Sequence, residues 1–363
     1  MTKEEMIKVV SENIERLEKN DFNLYFFVLD TKGNPSSALE YIYQTALTLK
    51  KEGYNVTLLH NEPEFEGVRE WLGDEYADLP HANVEKENVE ITASDFLFIP
   101  EIFANVMMRT MKLPCKKVIL VQNAYHITEF MPVSQSLDNL GISDAVVTTK
   151  ANGEKLQEFF PGVRTHLVPP AIKPMFHKSE EPQKLLINVV AKEQSDINRI
   201  IKPFYWKNPI YKFVSFRDLR GVKQDVFAQA LREAAVTIWV DDDTMFGYTL
   251  LEALKSGSVV LAKVPDTPTE WMLDKEGNLS ESVIWFEKLD DVVEMLPAVI
   301  RSWTNFSIPD SVYEAEKEFD GLYTEEVQKN EIIQVYKKEL IDRRLNDFKE
   351  VLAELNNKEE TEE

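Results

Sequence analysis

The sequence is poor in the residues that disulfides and membrane spans require. It has one cysteine, Cys115, so no disulfide can form within the chain. No run reaches the roughly 18–20 consecutive apolar residues of a membrane span. The first residues, Met1 to Glu5, lack the apolar core of a signal peptide. A reducing compartment fits these absences, and we expect a cytoplasmic protein.

Histidine and positive charge are scarce too. The five histidines show neither the spacing of zinc ligands nor a Ser/His/Asp or Cys/His arrangement, so hydrolase and zinc-enzyme interpretations have little support. The chain carries 41 basic and 63 acidic side chains, a net charge of −22. Such a charge repels nucleic-acid phosphates and anionic membranes over long range. We therefore expect no nucleic-acid partner.

The length and pattern of the chain indicate an α/β protein with two domains. A chain of 363 residues exceeds the size at which one core usually keeps growing, and a hydrophobic fraction of 44% suffices for two cores. Helical spacing from Met6 to Leu17 predicts an opening helix. Ser37 and Glu40 then match a capping box for a helix between two apolar strands. The predicted strands of the first half are 24–29, 54–59, 96–99, 118–121, 145–147 and 166–168, with a helix at 151–160.

The second half repeats the alternation of strands and helices. The segment Pro169–Pro174 cannot continue a helix or a strand, and we place a linker from there to Gln183. The predicted strands that follow are 185–190, 211–214, 236–240, 259–262 and 283–285. Beyond Asp310 the chain is helical and charged with one apolar stripe. The predicted segments are 1–173 for the first domain, 174–310 for the second, and 311–363 for terminal helices and a polar tail.

The most informative segment runs from Val236 to Leu261. It reads as a buried strand, a polar loop, a helix that stops at Gly257, and a second apolar strand. Ligands of open α/β sheets bind at the carboxyl ends of strands, and a helix that starts beyond Gly247 offers free N–H groups to an anion such as a diphosphate. Glu252 lies one turn into that helix, where its carboxylate suits sugar hydroxyls.

The run from Phe246 to Val260 resembles the donor-site signature of retaining glycosyltransferases of the GT-B fold, the family four type. In that family two glutamates, with seven residues between them, frame the motif. Glu252 matches the second glutamate, which binds the ribose of the donor nucleotide. Thr244 stands where the first glutamate, the ligand of the donor sugar, is expected. The resemblance therefore implies nucleotide binding and leaves the sugar contact altered.

The resemblance also implies the remaining site residues. Asn123 and His126, in the loop after strand 118–121, match a family loop that faces the donor sugar, and we assign them as catalytic. Lys192 falls near the family's diphosphate-binding arginine. The full set predicted to bind the donor is Gly33, Gln122, Lys192, Thr244, Phe246, Gly247, Tyr248, Thr249, Leu250 and Glu252.

By resemblance, the fold consists of two Rossmann-like domains that face each other across a cleft, with C-terminal helices that cross back to the first domain. The first domain would receive the acceptor and the second would hold a nucleotide-diphospho-sugar. The implied activity is transfer of a sugar to a hydroxyl of a glycan, lipid-linked or protein acceptor. No cofactor is expected, because the nucleotide-sugar is a substrate, and no divalent metal is expected.

Three alternatives stay open at the level of sequence. Clustered carboxylates at Asp241–Asp243 could bind Mn²⁺ or Mg²⁺ in a metal-dependent sugar-nucleotide transferase. Thr244 favours a GT-B-like binding or structural protein without turnover. The apolar stripe of the terminal helix could also pack on its own domain or on a second copy in a homo-oligomer.

Overall fold

The computed structural model describes residues 2–241 and 245–360, and the chain forms two compact units. Unit 1 comprises Met1–Pro170 and Gln328–Glu363, and unit 2 comprises Ala171–Val327. The first passage between the units lies inside the segment that the sequence marks as a linker. Within the described ranges, no helix combines the length and the apolar character that crossing a bilayer requires.

Unit 1 is built around a seven-stranded parallel sheet. Its strands stand in the order β3-β2-β1-β4-β5-β6-β7. The chain moves outward from β1 to β3 and then returns to the other side of β1, so the strand order reverses between β1 and β4. The strands are β1 (Asn23–Phe27), β2 (Asn55–His60), β3 (His81–Asn83), β4 (Phe96–Pro100), β5 (Lys116–Val121), β6 (Ile142–Val147) and β7 (Arg164–Leu167).

Both faces of this sheet are buried, which explains why its strands read as nearly continuous apolar runs. Alternate residues serve opposite faces: Phe26 and Phe98 pack in one core, Phe27 and Leu97 in the other. The helices of the N-terminal part of unit 1 are α1 (Lys3–Glu18), α2 (Ser37–Lys51), α3 (Asp74–Ala77), α4 (Ala104–Arg109), α5 (His126–Phe130) and α6 (Lys150–Phe159).

The last helical segments complete the first core of unit 1. They are α12 (Glu325–Ile332), a π-helix (Ile333–Ile341) and α13 (Asp342–Glu360). Ile332 and Tyr336 are fully buried, and the Tyr336 ring lies 4.9 Å from the Phe98 ring and 6.1 Å from that of Phe26. The prediction that the C-terminal helices cross back to the first domain is therefore confirmed.

Unit 2 contains a five-stranded parallel sheet in the order β12-β11-β10-β8-β9. Here the strand order reverses between β8 and β10. The strands are β8 (Lys184–Ala191), β9 (Ser215–Asp218), β10 (Ala234–Val240), β11 (Val259–Lys263) and β12 (Ile284–Phe286). The helices are α7 (Gln194–Lys207), α8 (Gln224–Glu233), α9 (Tyr248–Lys255), α10 (Leu289–Thr304) and α11 (Asp310–Tyr313), with short 3₁₀ turns at Pro209–Tyr211, Glu270–Met272 and Ala315–Phe319.

Two local predictions are wrong. The cap of α2 is Ser36, whose hydroxyl accepts the N–H of Leu39 at 3.3 Å, whereas Ser37 is already the first residue of the helix. The predicted strand 211–214 is instead a 3₁₀ turn and its exit, and the strand begins at Ser215. Tyr211 and Val214 are apolar because they pack in a core of unit 2, not because they belong to the sheet.

A buried carboxylate ties the terminal segment to the sheet of unit 1. Asp144, on β6, is fully buried. Lys116 Nζ lies 2.5 Å and Arg164 Nη2 2.8 Å from its Oδ2, while His166 Nε2 lies 3.0 Å from its Oδ1. Arg343, from α13, approaches the same carboxylate to 3.5 Å. Three strands and a terminal helix therefore share one negative charge.

This arrangement makes stability depend on the ionisation of Asp144. Burial alone would raise the pKa of its carboxyl, but hydrogen bonds from His166, Arg164 and Lys116 outweigh burial and hold the pKa well below its usual range. A depressed pKa in the folded state contributes stability above the ordinary carboxyl pKa of about 4. That contribution is lost as the pH falls below that value.

We predict that Asp144→Asn lowers the free energy of unfolding by roughly 3 kcal/mol at neutral pH, because it removes the buried charge partner that Lys116, Arg164 and Arg343 share. The difference from the wild type should shrink as the pH falls below about 4. Urea titrations at pH 7 and at acid pH measure both quantities. Asp138→Asn, an exposed change in the same unit, is the control, and equal effects of the two substitutions would contradict this role for Asp144.

Candidate functional site

The strongest candidate site lies at the carboxyl edge of the sheet of unit 2. In a doubly wound sheet the crevice for a ligand opens where the strand order reverses, because neighbouring strands there send their loops in opposite directions. Here those strands are β8 and β10. The loops and helices that follow them, with α7 and α9, therefore define the place at which a ligand of unit 2 would bind.

A lysine and an aspartate meet at this point. Lys192 directly follows β8, and Asp241 directly follows β10. Their Nζ and Oδ1 atoms are 2.9 Å apart, with 63% of the lysine side chain and 21% of the aspartate side chain exposed. An exposed ammonium on a flexible stem can move from a carboxylate to a phosphate. The arrangement thus places an exposed cation at the carboxyl edge of the sheet, where β8 and β10 are neighbours.

The start of α9 is shaped by a glycine, as the sequence predicts. Gly247 precedes the helix with φ of +75°, in the left-handed region. A Cβ at this position would lie 2.6 Å from Met272 Cε and 3.2 Å from Trp271 Cζ2. The Trp271 indole N–H also donates to the Phe246 carbonyl at 2.7 Å. The backbone before α9 therefore needs glycine and is held in place by the residues around it.

Some side chains of the motif pack in the hydrophobic core, and others make polar contacts. Phe246 is 4% exposed and Leu250 is fully buried, and both pack in a hydrophobic core of unit 2. Only the main-chain atoms of these two residues are left to contact a donor. The Thr249 hydroxyl accepts the indole N–H of Trp239 at 2.9 Å. Tyr248 is the first residue of α9, and its ring packs edge-on against Phe246.

Glu252 is the buried carboxylate of the motif. It lies one turn into α9 and is 8% exposed, between the fully buried Leu251 and Ala253. A carboxylate is rarely buried to this extent unless it is bonded. Thr244, the residue in place of the family's first glutamate, lies outside the described residues, as do Asp242 and Asp243. Residues 2–241 and 245–360 contain no cluster of three or more potential metal-ligating side chains.

Unit 1 has its own polar group at the carboxyl edge of its sheet. Glu101 follows β4 and is 4% exposed. Its Oε1 accepts the backbone N–H groups of Gln122 at 3.1 Å and Asn123 at 2.9 Å, and His126 Nδ1 lies 3.5 Å from the same oxygen. The structure thus brings Gln122, Asn123 and His126 together around a carboxylate that the sequence analysis missed. A charged residue directly after an apolar strand was the available signal.

The side chains of this loop mostly hold its shape. Asn123 Oδ1 accepts the N–H of Tyr125 at 3.0 Å, and the Gln122 amide donates to the Ala38 carbonyl in the first turn of α2 at 2.8 Å. Asn152, on α6, accepts the N–H of Ala124 and donates to the carbonyl of Gln122. His126, the first residue of α5, keeps 34% of its side chain exposed, whereas Asn123 is buried.

The loop after β1 contains Gly33, whose φ is +73°. Asp30 organises this loop: its carboxylate accepts the N–H groups of Lys32 and Glu66, and Lys32 Nζ lies 3.3 Å away. Burial favours the neutral form of Asp30, yet these bonds hold the pKa of its carboxyl below the ordinary value. The structure places Gly33 in unit 1, in a loop near the strand reversal between β1 and β4.

A cleft of about 330 Å³ opens in unit 1 on the sheet face that carries Phe27, Leu59 and Leu97. It forms because the connection from β3 to β4 contains no helix, so this part of the sheet face is covered only by an irregular segment and α4. An ion pair between Arg109 and Glu85, 3.3 Å apart, lies among the lining residues. The cleft has an apolar floor and charged groups at its side.

Comparison with known proteins agrees with this fold. No protein-family model matches the sequence. A curated relative, an alpha-1,6-glucosyltransferase of Actinobacillus pleuropneumoniae serotype 7 (strain AP76), is 21% identical over 252 residues, which cover 68% of this chain and 74% of the relative.

Two solved structures extend the comparison. Sucrose-phosphate synthase from Thermosynechococcus elongatus superposes with a TM-score of 0.59 at 10% identity, covering 87% of this chain and 98% of that chain. An alpha-glucosyltransferase in complex with UDP and a 13-mer DNA containing a HMU base has a TM-score of 0.50 at 10% identity, covering 90% and 98%. These likenesses show the two-sheet GT-B fold. The chain therefore has the GT-B fold, and its similarity to the sequence relative supports a glycosyltransferase.

Proposed function

We propose that this glycosyltransferase moves a sugar from a nucleotide-diphospho-sugar to a hydroxyl group of a glycan, lipid-linked or protein acceptor, with retention of configuration and without a metal ion. The observation that carries the proposal is the pair of Lys192 and Asp241 at the strand reversal of unit 2, where the chain leaves β8 for α7 and β10 for α9. The sequence relative is a glucosyltransferase, and one structure of the same fold contains UDP, so UDP-glucose is the first donor to test.

Unit 2 supplies the groups that a donor needs. The first turn of α9 offers backbone N–H groups to the diphosphate, and Lys192 adds a positive charge. We assign Glu252 to the ribose hydroxyls, because a buried carboxylate is a strong acceptor for two neighbouring O–H groups. Phe246 and Leu250 contribute through their backbone while their side chains fix the helix against the sheet.

The reaction needs charge neutralisation more than it needs a reactive side chain. The bond from the anomeric carbon to the diphosphate breaks as the bond from the acceptor oxygen forms on the same face. The acceptor proton passes to the departing phosphate oxygen. Lys192 and the N–H groups of α9 stabilise the charge that develops on that phosphate. We assign His126 and Asn123 of unit 1 to contacts with the donor sugar, with Gln122 and Gly33 as further donor contacts.

The acceptor side of the reaction belongs to unit 1 in this proposal. Its cleft beside Leu59 and Leu97 could take an apolar part of the acceptor.

A single cysteine, Cys115, is buried, and burial raises the pKa of its thiol to about 11, so it is neither a nucleophile nor a disulfide partner. We place the protein in the cytoplasm, where such a thiol stays reduced.

Thr244 favours a second candidate function, that of a binding protein that holds a nucleotide without turnover. A hydroxyl makes weaker contacts to a sugar than the carboxylate expected at this position. Nucleotide binding without release of the diphosphate would therefore indicate the binding protein, whereas release of the diphosphate would indicate the transferase.

Glu252→Gln tests the donor site without changing the volume of a buried side chain. We expect the affinity for UDP-glucose to fall by about tenfold or more, because charge-assisted bonds to the ribose are lost. Calorimetric titration measures the affinity, and Glu281→Gln, an exposed change in the same unit, should bind like the wild type. Unchanged affinity in Glu252→Gln with an unchanged melting temperature would remove Glu252 from the site.

Repeating the titration and a turnover assay in a chelator tests metal independence. The proposal expects the same affinity and rate with EDTA as without it. Loss of either, followed by recovery on addition of Mn²⁺, would instead assign the run Asp241–Asp243 to a metal site.

Gly247→Ala tests whether the start of α9 must keep its present backbone. An alanine is strained at φ of +75° and would meet Met272 and Trp271, so we expect a lower melting temperature and weaker UDP binding. Gly221→Ala is the matched control: its φ is +64°, but no atom lies within 4 Å of the added Cβ. If both variants lose equal stability and neither loses affinity, crowding at Gly247 does not position the helix.

A further inference from the structure

Two segments of unit 2 are positively charged, although the chain as a whole is acidic. Residues 197–217 contain five basic residues and no acidic residue, and residues 295–309 contain one basic residue and no acidic one. The whole protein carries 63 acidic and 41 basic side chains. The basic residues of the two segments are Arg199, Lys202, Lys207, Lys212, Arg217 and Arg301. A positive strip is thus set apart on an acidic protein.

The same two segments expose large apolar side chains. Trp206 is 75% exposed, Ile210 76%, Phe213 68% and Phe306 95%. Single exposed apolar residues are ordinary, but three within eight residues, two of them aromatic, form an unusual surface. None of the four belongs to a core cluster of unit 2. Their exposure therefore has no explanation in the folding of the unit.

These side chains lie at the amino edge of the sheet, away from the proposed donor site. Helices α7 and α10 each follow the carboxyl end of a parallel strand and run back along the same face of the sheet, packed together. The 3₁₀ turn after α7 contacts α10, because the Tyr211 hydroxyl donates to the Pro297 carbonyl at 3.4 Å and accepts a bond from Arg301 at 3.2 Å. Both helix ends therefore belong to one edge.

A buried side chain and hydrogen bonds hold the backbone around these exposed residues. Tyr211 is buried, and the Tyr205 hydroxyl donates to the Val214 carbonyl at 2.5 Å. Phe306 ends α10 with φ of +53°, a conformation that usually requires glycine. The Phe306 N–H donates to the Trp303 carbonyl, and the next N–H donates to that of Ser302, which completes the helix end. A strained and almost fully exposed phenylalanine does not serve the fold.

We propose that this amino-edge patch, formed by Trp206, Ile210, Phe213 and Phe306 with Lys202, Lys207 and Lys212, binds the surface of an anionic lipid bilayer. Aromatic and aliphatic side chains that project separately can enter the headgroup region while neighbouring lysines contact lipid phosphates. Lysine is depleted in protein interfaces, which favours lipid over a protein partner. The overall charge does not prevent this, because salt screens charges beyond about 8–10 Å.

The local charges around the patch are not all available. Lys207 Nζ lies 2.6 Å from Glu294 of α10, and Arg217 lies 3.0 Å from Glu233 of α8. Lys202 and Lys212 are exposed. The strip still carries an excess of positive charge, and these two lysines are the best candidates for lipid phosphates. Binding at this edge leaves the carboxyl edge, with Lys192 and α9, open to a donor, so this inference goes beyond the proposed function.

Co-sedimentation of the full chain with lipid vesicles tests the patch. The wild type should bind to vesicles made of phosphatidylglycerol and phosphatidylcholine in equal parts. It should bind much less to vesicles of phosphatidylcholine alone. The double variant Trp206→Ser with Phe213→Ser should reduce the bound fraction about tenfold, and Lys202→Gln with Lys212→Gln should also reduce it. Val133→Ser, which removes a fully exposed apolar residue of unit 1, should bind like the wild type.

Phe306→Gly separates a role in binding from a role in folding. Glycine relieves the strain at φ of +53°, so the melting temperature should stay equal or rise while vesicle binding falls. UDP binding should be unchanged in every patch variant. The proposal is overturned if the wild type does not bind anionic vesicles, if the patch variants bind as well as Val133→Ser, or if the patch instead holds a dimer in solution that Trp206→Ser with Phe213→Ser dissociates.

Discussion

The reversal of strand order in each parallel sheet is the constraint on which the rest of the structure depends. Because β8 and β10 are neighbours but lead to helices on opposite faces, the loops that follow them diverge at the carboxyl edge of the sheet. Lys192 and Asp241 are adjacent only for this reason, although they are far apart in sequence. In unit 1 Glu101 and the loop of Gln122 and Asn123 meet for a different reason, because they follow β4 and β5, which are neighbouring parallel strands.

Much of this fold follows from local pattern. Strands buried on both faces are apolar along their whole length, so most of them could be predicted from hydrophobicity, and Gly247 marked the start of α9. Hydrophobicity predicted the wrong element where apolar residues are buried by a neighbouring helix and not by the sheet. Tyr211 and Val214 are apolar because they pack beside α10, and β9 itself is only partly buried, so hydrophobicity placed the strand too early.

The site was harder to predict than the fold, because its residues come from separate loops. Lys192 was predicted from its place after β8, where it falls near a family position, whereas Glu101 was missed because its bonds depend on a loop 21 residues later in the chain. Phe246 and Leu250 were predicted to bind the donor, and their side chains pack in a hydrophobic core of unit 2. Contacts of these two residues with the proposed donor are therefore left to their main-chain atoms.

The most direct test of this account is to follow release of nucleoside diphosphate from a panel of nucleotide-sugars, in parallel with native chain and with Lys192→Ala. The account predicts release from at least one donor by the native chain and a clear decrease in Lys192→Ala at unchanged stability, because the departing diphosphate loses its cation. No release from any donor, no bound nucleotide, and no gain when Thr244 is replaced by glutamate would contradict it.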